Sequence, residues 1–227
     1  MGAGIAVVVS ARNEQSLLVD TLAALRAAFP SARLTVADDA STDSTPEIAR
    51  AAGAELVRTP RRTGKGGATT LAVRHALERA APATIVLCDG DLGASARTLP
   101  ALVDALERGD GDLAVAVFAR RVGGGFGIVL RCSRAAIERL TGLSPRAPIS
   151  GQRAMSSAVL EAVLPFAAGY GMETAMTIDA HRAGFRLVEI ELALEHRASG
   201  RSLRGFLHRA RQLVDIARAL PARRRAG

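Results

Sequence analysis

Between residues 5 and 118 the sequence alternates five short runs of aliphatic, largely β-branched residues with longer stretches of helical periodicity. The first run, Ile5-Ala6-Val7-Val8-Val9, is continuously apolar, as a strand covered on both faces must be. Further strands are predicted over residues 34–37, 55–57, 84–88 and 113–118. Helices are predicted over 14–28, where Leu17, Leu18, Leu22 and Leu25 share a face, and over 45–52, 67–79 and 96–107. Pro46 stands in the first turn of the second helix and Gly53 closes it. Repeated β-α-β units with short links dictate a mostly parallel, Rossmann-like α/β sheet with helices on both faces. After residue 121 the rhythm changes to a glycine loop at 123–127, a helix over 128–140, a strand over 150–155, helices over 157–163 and 172–182, a strand over 186–194, and a final helix from Ser202 to Leu220. There is no internal repeat and no linker long enough to separate two domains.

Composition narrows the partners. A chain of 227 residues, 48% hydrophobic, can bury one full core. No uncharged stretch exceeds eleven residues, too few to span a bilayer. The apolar start meets Arg12 within a strand length, unlike a signal peptide, so a cytoplasmic protein is expected. Two cysteines, Cys88 and Cys132, make no disulfide framework. The net charge of +8 is concentrated: residues 196–227 hold nine arginines against one acid, Asp215, so the first 195 residues are neutral overall. With one tyrosine and no tryptophan, a stacking platform for nucleic acid is poorly supported. The final helix places Leu203, Phe206, Leu207, Ala210, Val214 and Ala217 on one face, and Arg204, His208, Arg209, Arg211, Gln212 and Arg218 on the other. Such a helix can lie on an anionic membrane, pack on its own domain, or form a homodimer contact.

In an open parallel sheet ligands bind beyond the carboxyl ends of the strands, and there this chain gathers its polar residues. Asp89-Gly90-Asp91 follows the fourth strand. In extended chain, residues i and i+2 point to one side, so both carboxylates reach one cation. Mg²⁺ takes one or two carboxylates and completes its shell with phosphate oxygens and water. An acidic turn is the plain alternative. After the second strand, Asp38, Asp39 and Asp43 offer acceptors for a base or ribose, or caps for the next helix. Gly64-Lys65-Gly66 lacks the glycine and hydroxyl spacing of a P-loop, and no dinucleotide fingerprint follows the first strand. Lys65, the only lysine in the chain, remains as an anion contact near a helix N-terminus, or as part of a solvated loop.

Taken in order, Ser10-Ala11-Arg12-Asn13-Glu14, the 38–43 loop, Gly64-Lys65-Gly66 and Asp89-Gly90-Asp91 resemble the family 2 glycosyltransferases of the GT-A fold. The likeness is greatest to polyprenyl- or dolichyl-phosphate sugar transferases and glucosyl-3-phosphoglycerate synthases. Gly151-Gln152-Arg153, Gly169-Tyr170-Gly171-Met172-Glu173 and residues 195–201 extend it. The resemblance implies a single domain, with a nucleotide-sugar half at 1–121, an acceptor side at 122–201 and the basic tail at 202–227. It implies a nucleotide-sugar pocket of Ala11, Arg12, Glu14, Asp38, Asp39, Lys65, Asp89, Gly90 and Arg201. Mg²⁺ or Mn²⁺ would be held by Asp89, Asp91 and His196, and Glu173 would act as base beside the acceptor. Gly151, Gln152 and Arg153 would touch the acceptor, although relatives carry Gly-Phe-Arg there.

The expected reaction is hexose transfer from a UDP- or GDP-linked sugar to a phosphate-bearing acceptor, with inversion. Polyprenyl phosphate at the inner face of the plasma membrane is favoured over a small soluble acid. A sugar-phosphate nucleotidyltransferase is the rival enzyme, but its glycine-rich loop after the first strand is missing from residues 10–14. A non-catalytic binding module is the remaining alternative.

Overall fold

The computed structural model describes residues 4–119, 127–194, 214–215 and 217–219. Seven strands form one sheet: β1 (Ile5–Ala11), β2 (Arg33–Asp38), β3 (Glu55–Arg58), β4 (Thr84–Asp89), β5 (Leu113–Phe118), β6 (Arg153–Ser156) and β7 (Leu187–Leu192). Their order is β3-β2-β1-β4-β6-β5-β7. All pairs are parallel except those of β6, which runs antiparallel between β4 and β5. Helices among the described residues are α1 (Leu18–Ala28), α2 (Thr45–Ala51), α3 (Lys65–Ala80), α4 (Pro100–Glu107), α5 (Gly127–Thr141), α6 (Ser157–Val163) and α7 (Met172–Arg182).

The continuous apolarity of the first run is explained by its place in the sheet. Val7 and Val9 pack with Leu18, Leu22 and Leu25 of α1, Ala49 of α2 and Leu102 of α4. Ala6 and Val8, one pleat out of phase, meet Ala72 and Val73 of α3, Leu160 of α6 and Met176 of α7 on the opposite face. Helix α5 lies outside this sandwich against α7, where Ser133 and Thr174 share a buried hydroxyl contact of 2.6 Å.

Two predicted helices are shorter than their periodicity. The chain from 14 to 17 forms turns, so α1 begins at Leu18. Residues 96–107 divide into a 3₁₀ segment, Gly93–Thr98, and α4, which starts at Pro100. Proline has no N–H to give the preceding turn but suits the first helical position. Of the predicted final helix, residues 214–215 and 217–219 are helical. Asp215 Oδ2 accepts from the Tyr170 amide at 3.2 Å, and Ala219 is buried. Val214, Ala217 and Arg218 are exposed. Among the described residues no helix is long and apolar enough to cross a membrane.

Candidate active site

The carboxyl ends of β1, β2 and β4 are adjacent, because Ala11 registers with Asp38 and Ser10 with Asp89. Asp89 is the last residue of β4, and Lys65 is the first residue of α3, reached through Gly64 in the left-handed region (φ 83°). The Lys65 ammonium lies 2.6 Å from Asp89 Oδ1 and 2.6 Å from Glu173 Oε1. Glu173, in the first turn of α7, is 3% exposed. Burial alone would drive the Lys65 ammonium down, but the charges and hydrogen bonds of the two carboxylates outweigh it and hold it above its ordinary value. The lysine therefore stays charged and ties the end of β4 to the start of α7.

Asp89 has a second partner. Gln152 Nε2 donates to Asp89 Oδ2 at 2.8 Å, and Ser150 Oγ donates to Gln152 Oε1 at 3.1 Å. Gly151 passes close to the same group: a Cβ there would stand 2.5 Å from both Asp89 Oδ2 and Lys65 Nζ. Gly66 is more tightly placed still, since a Cβ would overlap the Ala167 carbonyl oxygen. The Tyr170 hydroxyl is pushed up by burial and by Asp89 and Glu173, against the opposing pull of Lys65 and Arg62.

On the neighbouring edge the loops hold one another. Asp39 accepts from the Thr63 amide (2.6 Å) and hydroxyl (3.1 Å) and from the Gly64 amide (3.0 Å), which shapes the loop before Lys65. Asp38 has no exposed surface, and its Oδ1 accepts from the Ser41 amide at 3.1 Å. Arg58 Nε lies 3.1 Å from its other oxygen, an ion pair without hydrogen-bond alignment. Asp43 takes the Thr45 amide (3.0 Å) and hydroxyl (2.6 Å) at the start of α2, and the Gln15 amide at 3.2 Å. Asn13, itself left-handed at φ 58°, accepts from the Thr42 amide at 2.9 Å and receives Ser41 Oγ on its own N–H at 2.9 Å.

Several expected site residues take a different part. Asp38 is enclosed and holds its own loop, so it presents no carboxylate to a ligand. Arg153 is fully buried, donating to Ser150 O (2.8 Å), Thr177 Oγ1 (2.9 Å) and Pro148 O (3.4 Å). Burial pulls its guanidinium down to about 10, against the nearby Glu173 and Glu189. Its charge supports the 148–152 loop instead of meeting an acceptor. Ala11 is buried and its carbonyl receives the Asp39 amide at 3.1 Å. Arg12 is exposed, and Glu14 and Asp91 are half-buried. Gly90 donates to Ser10 O at 2.9 Å, and its carbonyl accepts from Thr21 Oγ1 at 2.9 Å. His196 and Arg201 lie outside the described residues. Ser150 and Thr63 join the site without a signal in their spacing, because each is brought there by tertiary packing.

Two aspartates at a strand end are hard oxygen donors suited to a divalent ion. Each carboxylate oxygen carries more than one lone pair, so the contacts from Lys65 and Gln152 leave Asp89 with acceptor capacity. Among the described residues no group of three His, Cys, Asp or Glu side chains converges to hold a metal. The Asp89 and Asp91 carboxylates fit an ion that draws more of its shell from phosphate and water.

A parallel sheet with this acidic strand end, this basic helix start and these laced loops defines a GT-A glycosyltransferase. The chain belongs to glycosyl transferase family 2, whose model matches residues 6–164. It is 34% identical over 206 residues to an undecaprenyl-phosphate mannosyltransferase of Micrococcus luteus, covering 84% of this chain and 83% of that protein. It is also 31% identical over 207 residues to an uncharacterized glycosyltransferase of Mycobacterium tuberculosis, covering 88% of this chain and 89% of the relative. Among solved structures it is similar to glucosyl-3-phosphoglycerate synthase of Mycobacterium tuberculosis in complex with Mn²⁺, uridine diphosphate and phosphoglyceric acid. That match has a TM-score of 0.79 and 29% identity, over 98% of this chain and 78% of that one. The same synthase with Mg²⁺ and uridine diphosphate gives a TM-score of 0.78 at 29% identity, over 98% and 79% of the two chains.

Proposed function

We propose that this glycosyltransferase moves a hexose from a UDP- or GDP-linked donor to a phosphate-bearing acceptor, polyprenyl phosphate above all, with inversion at the anomeric carbon. The observation that carries the reading is Lys65, held between Asp89 and Glu173 at 2.6 Å from each. In this reading the 1–121 half binds the donor, and the segment from 122 to 201 receives the acceptor.

Breaking the bond between the anomeric carbon and the diphosphate leaves negative charge on the departing group while the sugar turns oxocarbenium-like. Asp89 and Asp91 would hold Mg²⁺ or Mn²⁺, with His196 as a further ligand, and the ion supplies charge neutralisation to the diphosphate. Lys65, held by Asp89 and Glu173 before any reaction begins, would add a fixed positive charge beside the diphosphate, and such preorganised charge is the most effective kind of electrostatic stabilisation. Arg12, Glu14 and Asp39 would border the nucleotide, and Arg201 adds positive charge. Gly151, packed against the Lys65–Asp89 pair, would form the floor of the acceptor side.

Glu173 decides between acceptor types. Buried and paired with an ammonium, it serves better to orient Lys65 than to draw a proton from a hydroxyl. A phosphate acceptor arrives ionised and asks for no base. The name borne by the Micrococcus relative supports a lipid phosphate. The phosphoglyceric acid in the similar solved structure supports the second reading, a small soluble acid.

The test is nucleoside diphosphate release from GDP-mannose, GDP-glucose, UDP-glucose and UDP-galactose with Mg²⁺ or Mn²⁺, offered undecaprenyl phosphate in detergent or 3-phosphoglycerate. Turnover with the lipid phosphate is expected. Turnover confined to 3-phosphoglycerate would replace the acceptor with the soluble acid. Pyrophosphate formed from a nucleoside triphosphate and a sugar phosphate would overturn transfer itself.

A further inference from the structure

Asp89 is restrained on both oxygens by groups of different kind. Oδ1 meets the Lys65 ammonium, while Oδ2 meets the Gln152 carboxamide. The amide is itself fixed, because Gln152 is 2% exposed and Ser150 donates to its oxygen. Its neighbour Gly151 brings the backbone against the same ion pair, so the segment 150–152 packs directly on the carboxylate. We infer that Gln152 is a positioning residue for Asp89: it keeps Oδ2 turned away from Lys65 so that the carboxylate can share a cation with Asp91.

The reason is geometric. An ammonium has three donors and can donate to one or to both oxygens of a carboxylate. If Oδ2 loses the amide, the Asp89 carboxylate can rotate and offer both oxygens to Lys65, and its acceptor capacity toward a metal falls. Outer partners of this kind typically change metal affinity about 10- to 100-fold when removed. Ser150 acts one bond further out, so its removal frees the amide without deleting it. Gln152 is thus assigned to the donor side of the reaction through Asp89, in place of the acceptor contact expected from its motif. This inference rests on the reading of Asp89 and Asp91 as the carboxylates that meet the cation.

The experiment is Mn²⁺ binding followed by electron paramagnetic resonance on the full chain, with manganese alone and with manganese plus UDP or GDP. Gln152→Leu, which keeps size and removes the donor, is expected to weaken Mn²⁺ binding about tenfold. Ser150→Ala is expected to weaken it about two- to threefold, since only a neutral anchor is lost. In transfer assays the metal concentration at half-maximal rate should rise in both variants, with kcat recovering at saturating manganese. That split is something a merely structural role would not produce. If Gln152→Leu fails to fold, Ser150→Ala carries the same measurement. Unchanged Mn²⁺ affinity in the folded variants overturns the role of Gln152 and leaves the donor-site reading standing. A wild-type chain that binds no Mn²⁺ with either nucleotide overturns that reading, and this inference with it.

Discussion

Lys65 is the single ammonium side chain in a protein whose other cationic side chains are almost all arginine. Its two partners sit 24 and 108 positions away in the chain, at Asp89 and Glu173. Removing it would leave two carboxylates facing each other with nothing between them. Lys65→Met is therefore expected to lose about 3 kcal/mol of stability, as breaking a buried pair does. Urea denaturation at pH 7 measures this, and a loss below about 1 kcal/mol would show that the cluster is solvated enough to relax. Gly151→Ala probes the same place from outside. Its new methyl would stand 2.5 Å from both charged ends. Those ends are tips of side chains, so the fold should survive while the ion pair splays. A fall in kcat/KM of at least about tenfold, equal to about 1.4 kcal/mol of barrier, with a melting temperature within a few degrees of wild type, is the expected pattern. The sequence makes Lys65 conspicuous and says nothing of what it touches, since helical and strand periodicities report faces and not distances between loops.

At the scale of elements, the start of α2 shows how a helix end ties two loops together. Asp43 is expected from the sequence as a cap for this helix, and Ser44 stands directly before its first residue. Ser44 makes no capping bond, whereas Asp43 holds the Thr45 amide and hydroxyl and the Gln15 amide. Partial burial works against the charged form, but these donors prevail and hold the Asp43 carboxyl below the usual carboxylate range. A depressed value means that its stabilisation is fully present above the unfolded value of about 4 and is lost as pH falls through the lower folded value. Asp43→Asn, which keeps the shape and removes the charge, should therefore cost about 0.5 kcal/mol at pH 7, and the gap from wild type should be smaller at pH 2 than at pH 7. Urea midpoints at both pH values test this; a gap independent of pH would assign the effect to shape alone. Strands β1 to β5 and helices α6 and α7 were legible because each carries a full period of apolar residues. The placement of β6 was not. Four residues, Arg153–Ser156, are too few to encode which strands they lie between. Its insertion between β4 and β5 also puts Arg153 inside the sheet, where it is fully buried.

The whole molecule separates its neutral body from a basic tail. If the acceptor is the lipid phosphate proposed above, such a tail would meet an anionic surface, where each basic residue adds about 1 kcal/mol. Asp215 and Ala219 face the body, while Val214, Ala217 and Arg218 face outward. Replacing Arg204, Arg209, Arg211 and Arg218 together by Gln should reduce co-sedimentation with vesicles containing phosphatidylglycerol at least about tenfold at low salt. The difference should shrink in concentrated salt, and equal binding of both proteins would remove the tail from the acceptor argument. The chain also packs the loop that opens α3 against the loop that leads to α7. Gly66 begins the helix behind Lys65 and lies flush on the carbonyl of Ala167, just before the turn that delivers Glu173. With no room for even a methyl at that seam, a change in the loop that opens α3 must be answered by one in the loop that leads to α7, so the two can be altered only together.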